Sequence, residues 1–430
     1  MRKILPVIFL LGFAAFSCKK DNETTSAPVV QFISPAQGAQ VNVTDTICIQ
    51  LHLADESGLV YVDVKLTDQQ LGPVASTVRA NLSGTSMDVT IYYIIDNHRL
   101  PSGAYYLVAE AHNGANFTRQ YLSINITGIP RATKGFFAAT LPASGTVDVY
   151  KCDTSWSASA FGYFSSDFTD MAVSSYWQQL YIDGYSFGLL RALNLDTTSS
   201  SWSVSPVITN GASWGPMSVY GSRLWVAQPG YSAFHSYDEA GAVKYTGTGD
   251  NGYAPLHLLQ SGDRIFSEQK DVASSNVKMV VYSSAGGRLQ ETNAGLNVVD
   301  MFAKSDNEVF VVGNSGAQGK LLIYDYASNG FWEPITLPAG RVTSATQVDS
   351  TTLLIAMDNS NIYKFTYSPV GLLTWKSGVN AQQVRYNDVD NSVLSAEGVN
   401  VNVYDYSGAA MQHTVSLPDS AKDVEWWFNR

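Results

Sequence analysis

The sequence predicts an all-β protein in two parts, a β-sandwich of about 100 residues followed by a seven-bladed β-propeller closed by its own C-terminal strand. Three observations predict this. First, seven short inner-strand patterns recur: Asp170-Met171-Ala172-Val173, Pro216-Met217-Ser218-Val219, Pro255-Leu256-His257-Leu258, Val298-Val299-Asp300-Met301, Ser344-Ala345-Thr346-Gln347, Gln383-Val384-Arg385-Tyr386 and Asp423-Val424-Glu425-Trp426. Taken at Ala172, Ser218, His257, Asp300, Ala345, Arg385 and Glu425, they are 46, 39, 43, 45, 40 and 40 residues apart. A period of about 40–45 residues with several strands per unit is that of a propeller blade. Second, short alternating runs with turn residues between them fill the region upstream of about residue 128. Third, 24 Tyr and 34 Gly with only 15% charged residues suit strands and tight turns, and no amphipathic helix is legible after residue 20.

The N-terminus reads as a leader. Met1-Arg2-Lys3 is basic, and Ile4 to Phe16 is an apolar run too short to cross a bilayer as a helix. Ala15-Phe16-Ser17-Cys18 resembles the lipobox of bacterial lipoproteins, which implies a signal peptide over 1–17, lipidation of Cys18 and a membrane anchor there. Lys19-Lys20-Asp21-Asn22-Glu23 resembles the charged export signal of Bacteroidota surface lipoproteins. The expected location is the outer membrane with the chain facing the cell surface, a periplasm-facing anchor being the alternative. Residues 18–27 form a flexible tether.

Residues 28–128 follow as the sandwich. Thr46 to Leu53 alternates strictly, with Ile47, Ile49, Leu51 and Leu53 on one face, and Val60 to Leu66 alternates again. Gly103-Ala104-Tyr105-Tyr106-Leu107-Val108-Ala109-Glu110-Ala111 with the turn Asn113-Gly114 resembles the closing hairpin of bacterial Ig-like and fibronectin-like modules, which implies a stalk and no chemistry. His52, His98 and His112 lack metal-ligand spacing. Cys48 and Cys152 fall in different predicted domains and read as unpaired, buried small residues.

Residues 128–135 read as a linker and 133–430 as the propeller. Each repeat has a second apolar marker, such as Leu180-Tyr181 and Leu224-Trp225, and a strand ending in an aromatic and a turn, such as Tyr237-Asp238 and Tyr404-Asp405. The chain enters at Gly135-Phe136-Phe137-Ala138 without an inner strand and ends on one without a blade, so the two ends complete the seventh blade and leave no open edge. The repeats resemble the broad YVTN, WD40-like and quinoprotein-like propeller class. They lack a Trp-Asp dipeptide and a regular quinone-binding Trp motif, so no specific family and no cofactor is implied.

Alternation along the inner strands places Ala172, Ser218, His257, Asp300, Ala345, Arg385 and Glu425 on a central channel. The candidate ligand-binding residues there are Ser218, His257, Asp300, Arg385 and Glu425, because an Arg, a His and two carboxylates converging could orient a polar ligand. The loops entering the inner strands supply a candidate rim with Trp214, Asp250, Tyr253, Asn297, Arg341 and Gln382, aromatics beside polar groups that suit a sugar or a polymer. Gly211-Ala212-Ser213-Trp214-Gly215 matches a nucleophile elbow and Gly247-Thr248-Gly249-Asp250-Asn251-Gly252 a dinucleotide fingerprint, but a strand rather than a helix is expected after each. Asp388 to Ser392 lacks a calcium loop's glycine and glutamate. No metal or catalytic residue is assigned. A net charge of −11 argues against nucleic acid. The expected function is non-catalytic binding or scaffolding toward a protein or glycan. The alternative is a polysaccharide lyase or hydrolase working at the channel mouth, for which His257 with Asp300 is the one pair that could supply acid–base chemistry.

Overall fold

The structure, a computed structural model, describes residues 26–206, 212–274 and 276–430. The leader, Cys18, the tether up to residue 25 and Gly211 lie outside the described residues. The chain divides into two compact units, one ending at Pro130 and the other beginning at Arg131.

The first unit has two sheets over one core. Val29–Ser34, Thr46–Ala54 and Ser86–Ile94 form an antiparallel three-stranded sheet. The second sheet has the order Ala39–Asn42, Phe117–Thr127, Gly103–His112, Tyr61–Thr67, Val78–Asn81, its first pair parallel and the rest antiparallel. Strict alternation builds the core: Ile47, Ile49, Leu51 and Leu53 meet Val62, Val64, Leu66, Leu107 and Ala109 in one apolar cluster. Tyr93 buries its ring there and keeps its hydroxyl satisfied, donating to Ser76 O (2.7 Å) and accepting from Leu66 N (3.2 Å). Both Cys48 and Cys152 are free thiols; Cys152 is buried, but Cys48 is on the outward-facing side of its strand and exposed, against the expectation for it.

The second unit is a β-propeller. Each of the repeats beginning at Met171, Met217, Tyr253, Asn297, Val342 and Gln383 forms one four-stranded antiparallel sheet from consecutive strands. One further sheet draws on both ends of the unit: Ala421–Phe428 lies against Thr133–Thr140, followed by Thr146–Asp153 and Ala158–Ser165. Its register pairs Val424 with Ala138 and Trp426 with Phe136. Apolar clusters join consecutive sheets. Trp214 and Leu224 pack with Tyr181 and Ala192; Phe310 packs with Leu353 and Phe365; Phe136 and Trp426 pack with Leu394 and Val403; Phe137 and Trp427 pack with Leu180 and Leu193. The last two hold the two-ended sheet on either side.

Two expectations for the inner strands need correction. Ala172 and Ala345 belong to apolar clusters between sheets rather than to a polar wall. For Ala345 the cause is a register shift between Val342 and Ser344, which re-phases the strand.

Candidate functional site

The inner strands run side by side, so a polar side chain on one can reach the backbone of the next. Every junction between neighbouring four-stranded sheets among the described residues carries such a bond; at one of them the side chain, Glu268, comes from the second strand of its sheet, Arg264–Asp271. Asp423 Oδ2 accepts from Met171 N (3.2 Å), and Asp170 Oδ2 accepts from Met217 N (2.7 Å). Ser218 Oγ donates to Leu258 O (2.8 Å). Glu268 Oε1 accepts from Val298 N (3.1 Å), and Asp300 Oδ2 accepts from Ala345 N (2.8 Å). Thr346 Oγ1 accepts from Tyr386 N (3.1 Å). Arg385 Nε donates to Glu425 Oε1 (2.5 Å), and Trp426 Nε1 donates to Arg385 O (3.0 Å). These bonds make a girdle of side chains around the axis. Ser218, Asp300, Arg385 and Glu425 are members of it, so much of their bonding capacity is already committed.

His257 differs. A register shift between Pro255 and Leu258 sets it opposite the second strand of its own sheet, where its Nδ1 meets Glu268 Oε2 at 2.6 Å. The expected pair His257–Asp300 is therefore replaced by His257–Glu268, and Asp300 acts on His257 as a nearby charge. Glu268 is buried, and its other oxygen is held by Val298 N, which fixes the imidazole's orientation. Burial opposes protonation of His257, but Glu268 outweighs it and raises the pKa above the ordinary histidine value.

Several carboxyls on the axis are pushed upward. Burial raises Asp170, Asp300 and Asp423, with Arg385 opposing in each case, and Asp423 stands well above the carboxylate range. Burial carries Glu425 up to about 7 against the pull of Arg385. Asp183, buried beside Asp170 with Oδ1 accepting Asp170 N (3.1 Å), is also raised well above its ordinary value by burial. Burial works against the charge on Arg385, but Glu425, Asp423 and Asp300 more than restore it and raise its pKa. Among the described residues no group of three or more His, Cys, Asp or Glu could hold a metal ion.

One open cleft of about 250 Å³ reaches this girdle. Val173, Ser175, Tyr176, Gly221, Tyr386 and Trp426 line it, with Arg385 and Glu425 among them. These residues lie toward the exit ends of the inner strands and beyond them, the opposite end from the predicted rim. The rim residues do not form a comparable site. Trp214 is fully buried, its indole N–H donating to Gly188 O (3.0 Å), so it is a core residue between sheets. Asp250 is bound to Lys278 and to Arg288 (2.7 Å), and Tyr253 lies under the Lys278 ammonium (4.0 Å), so both serve a charge network within their own sheet. Asn297, Arg341 and Gln382 are exposed.

Sequence reasoning missed Asp170, Asp183, Glu268 and Asp423. Asp170 and Asp423 had a signal: each opens its inner-strand pattern at the same position, in the two repeats that meet where the chain ends join. Glu268 had none, because its role depends on the local register shift.

No family model matches the chain, and no curated protein matches it. Solved structures do resemble it. A quinonprotein alcohol dehydrogenase-like protein from Bacteroides thetaiotaomicron is 13% identical, with 93% of this chain and 99% of that one covered and a TM-score of 0.48. The Pan2 WD40 domain of Neurospora crassa is 10% identical over 60% of this chain and 81% of that one, with a TM-score of 0.47. The Cps50 (Swd1) β-propeller domain of Myceliophteria thermophila is 11% identical over 60% and 89%, also at 0.47. No activity, ligand or partner follows from likenesses of this size.

Proposed function

We propose that this chain is a cell-envelope lipoprotein, anchored in the outer membrane through an acylated Cys18 and facing the cell surface, in which an Ig-like module precedes a seven-bladed propeller that binds an external protein or glycan without transforming it. The leader motif and the charged residues 19–23 support the anchor and its Bacteroidota-type export. The two-sheet core of the first unit and the closing hairpin at Asn113-Gly114 support the Ig-like reading. The count of seven rests on one four-stranded sheet per sequence repeat, the last built from both chain ends.

The observation that carries the binding role is the girdle. The ionisable groups an enzyme would need are engaged in bonds between neighbouring strands, while an open cleft beside them offers Tyr176, 39% exposed, and Tyr386. Aromatic faces beside a charged pair suit a sugar ring or a polar side chain. One feature favours the enzymatic alternative, the oriented His257–Glu268 pair.

A glycan array probed with the full chain and with Tyr176→Ala tests the reading. Specific binding that falls at least tenfold in the variant supports it, and binding untouched by the variant removes the cleft from the proposal. Release of new sugar ends from a bound glycan, abolished by His257→Ala, overturns the non-catalytic role in favour of the enzyme.

A further inference from the structure

Asp170 and Asp423 come from sheets that meet at the closure of the ring, and their carboxyls share one donor. The Met171 amide lies 3.0 Å from Asp170 Oδ1 and 3.2 Å from Asp423 Oδ2. Two carboxyl oxygens that share one amide hydrogen are brought close to each other. Two ionised carboxylates so placed repel each other, whereas a single proton lets one carboxyl donate to the other. Their other oxygens are engaged as well: Asp170 Oδ2 accepts from Met217 N (2.7 Å), and Asp423 Oδ1 accepts from Val424 N (2.8 Å). The pair thus clamps three neighbouring inner strands, Ala421–Phe428, Met171–Ser174 and Met217–Tyr220.

We propose that Asp170 and Asp423 form a one-proton latch across the closure seam, which holds the C-terminal strand in the ring while the proton is shared and loosens that strand when the proton is lost. The surrounding charges fit this. Arg385 Nη2 is 3.5 Å from Asp423 Oδ1, close enough to offset one negative charge. That same guanidinium already serves Glu425 through Nε. Asp183 faces Asp170 across the strand pair, Asp300 shares the field of Arg385, and Asp170 is felt at His257. One guanidinium therefore faces several carboxyls, and among the described residues a second full charge on the latch finds no cation of its own. Burial raises both carboxyls from their ordinary value, Asp423 well above it, which favours retention of the shared proton until pH rises.

Hydrogen exchange of the full chain in mild detergent tests the latch. After correction for intrinsic rates, amides of residues 421–428 lose at least tenfold protection between pH 6 and pH 9, while the strand Gly103–His112 in the first unit does not. Asp423→Asn, which supplies a permanent N–H donor, flattens the pH response. If Asp423→Asn fails to fold, Asp170→Asn serves the same purpose. Carboxyl carbon NMR of the wild type provides a check that needs neither variant: a protonated carboxyl signal persists at pH 7, and Asp183→Asn leaves it in place. Protection of 421–428 that is flat with pH, or equally pH-dependent in the Asn variants, overturns the proposal, as does a fully ionised pair at pH 7.

Discussion

At the scale of single residues, the axis of this propeller is a junction between strands, tied by polar side chains. Asp300 illustrates this. Its Oδ2 serves Ala345 N on the next inner strand, and burial raises its pKa against the pull of Arg385 and His257. Asp300→Ala leaves that amide without an acceptor, and the expected loss is about 1–3 kcal/mol of stability. Asp300→Asn keeps an acceptor oxygen and should lose less than half as much. Urea unfolding of the two variants checks this; equal losses would mean the charge and not the hydrogen bond matters. Trp214 shows what alternation alone could not reveal. Its loop position suggested an exposed ring, but Gly188 O captures the indole N–H and the ring fills the space between sheets. Trp214→Ala is expected to lower stability by about 3–5 kcal/mol, seen as a shifted urea midpoint, with ligand affinity of the folded fraction unchanged. Polar identities at the axis were legible because spacing fixes them. Their partners were not, since Glu268 and the Met171 amide become neighbours only through the register and curvature of the sheets.

At the scale of elements, the inner strands and the two-ended sheet were legible because a repeat that begins without an inner strand and ends with a spare one has one economical closure. What was not legible was local phase. Register shifts at Pro255/Leu258, Val298/Asp300 and Val342/Ser344 re-aim side chains, and nothing in the residue pattern marks them. The closing strand Ala421–Phe428 carries Val424, Trp426, Trp427 and Phe428 into two separate clusters, one on each side of its sheet. Each fully buried side chain of this size contributes about 1.5–3 kcal/mol, comparable together to the whole stability of an ordinary domain. Deleting residues 421–430 should therefore expose the edge Thr133–Thr140 and the apolar clusters flanking it. The expected result is strong binding of a hydrophobic dye and loss of a single cooperative unfolding transition for the propeller. A truncated chain with wild-type near-ultraviolet dichroism and no dye binding would show that the strand is dispensable.

At the scale of the whole molecule, the two units place their carboxyls in opposite environments, and this sets how each responds to pH. In the first unit, Glu110 is partly buried, which alone would raise its pKa. Its contacts with Arg119, His112 (2.9 Å) and Lys65 (3.5 Å) prevail and bring it down to about 2. Asp96 is lowered as well, by hydrogen bonds from Ser76. Groups whose folded pKa is depressed contribute their full stability above the unfolded value, near 4–4.5, and lose it as pH falls through the folded value. The first unit should thus be insensitive between pH 5 and 8 and weaken below about pH 4. In the second unit, lowered aspartates such as Asp238 and Asp325 sit at peripheral turns, while the axial carboxyls Asp170, Asp183, Asp300, Asp423 and Glu425 are all raised. For raised groups the sign reverses. The folded state binds more protons than the unfolded one between the two pKa values, so stability falls as pH climbs from about 4 through the folded value, which for Glu425 is about 7. Hydrogen exchange resolves the two units within one chain. Amides of Tyr105 to Ala111 should hold constant corrected protection from pH 5 to pH 8, while amides at the axis around Ser344 to Thr346 should lose protection steadily over the same interval. Parallel behaviour of the two sets would mean that the axial carboxyls are ionised at neutral pH, and the girdle would then have to be held by charge pairing with Arg385 alone.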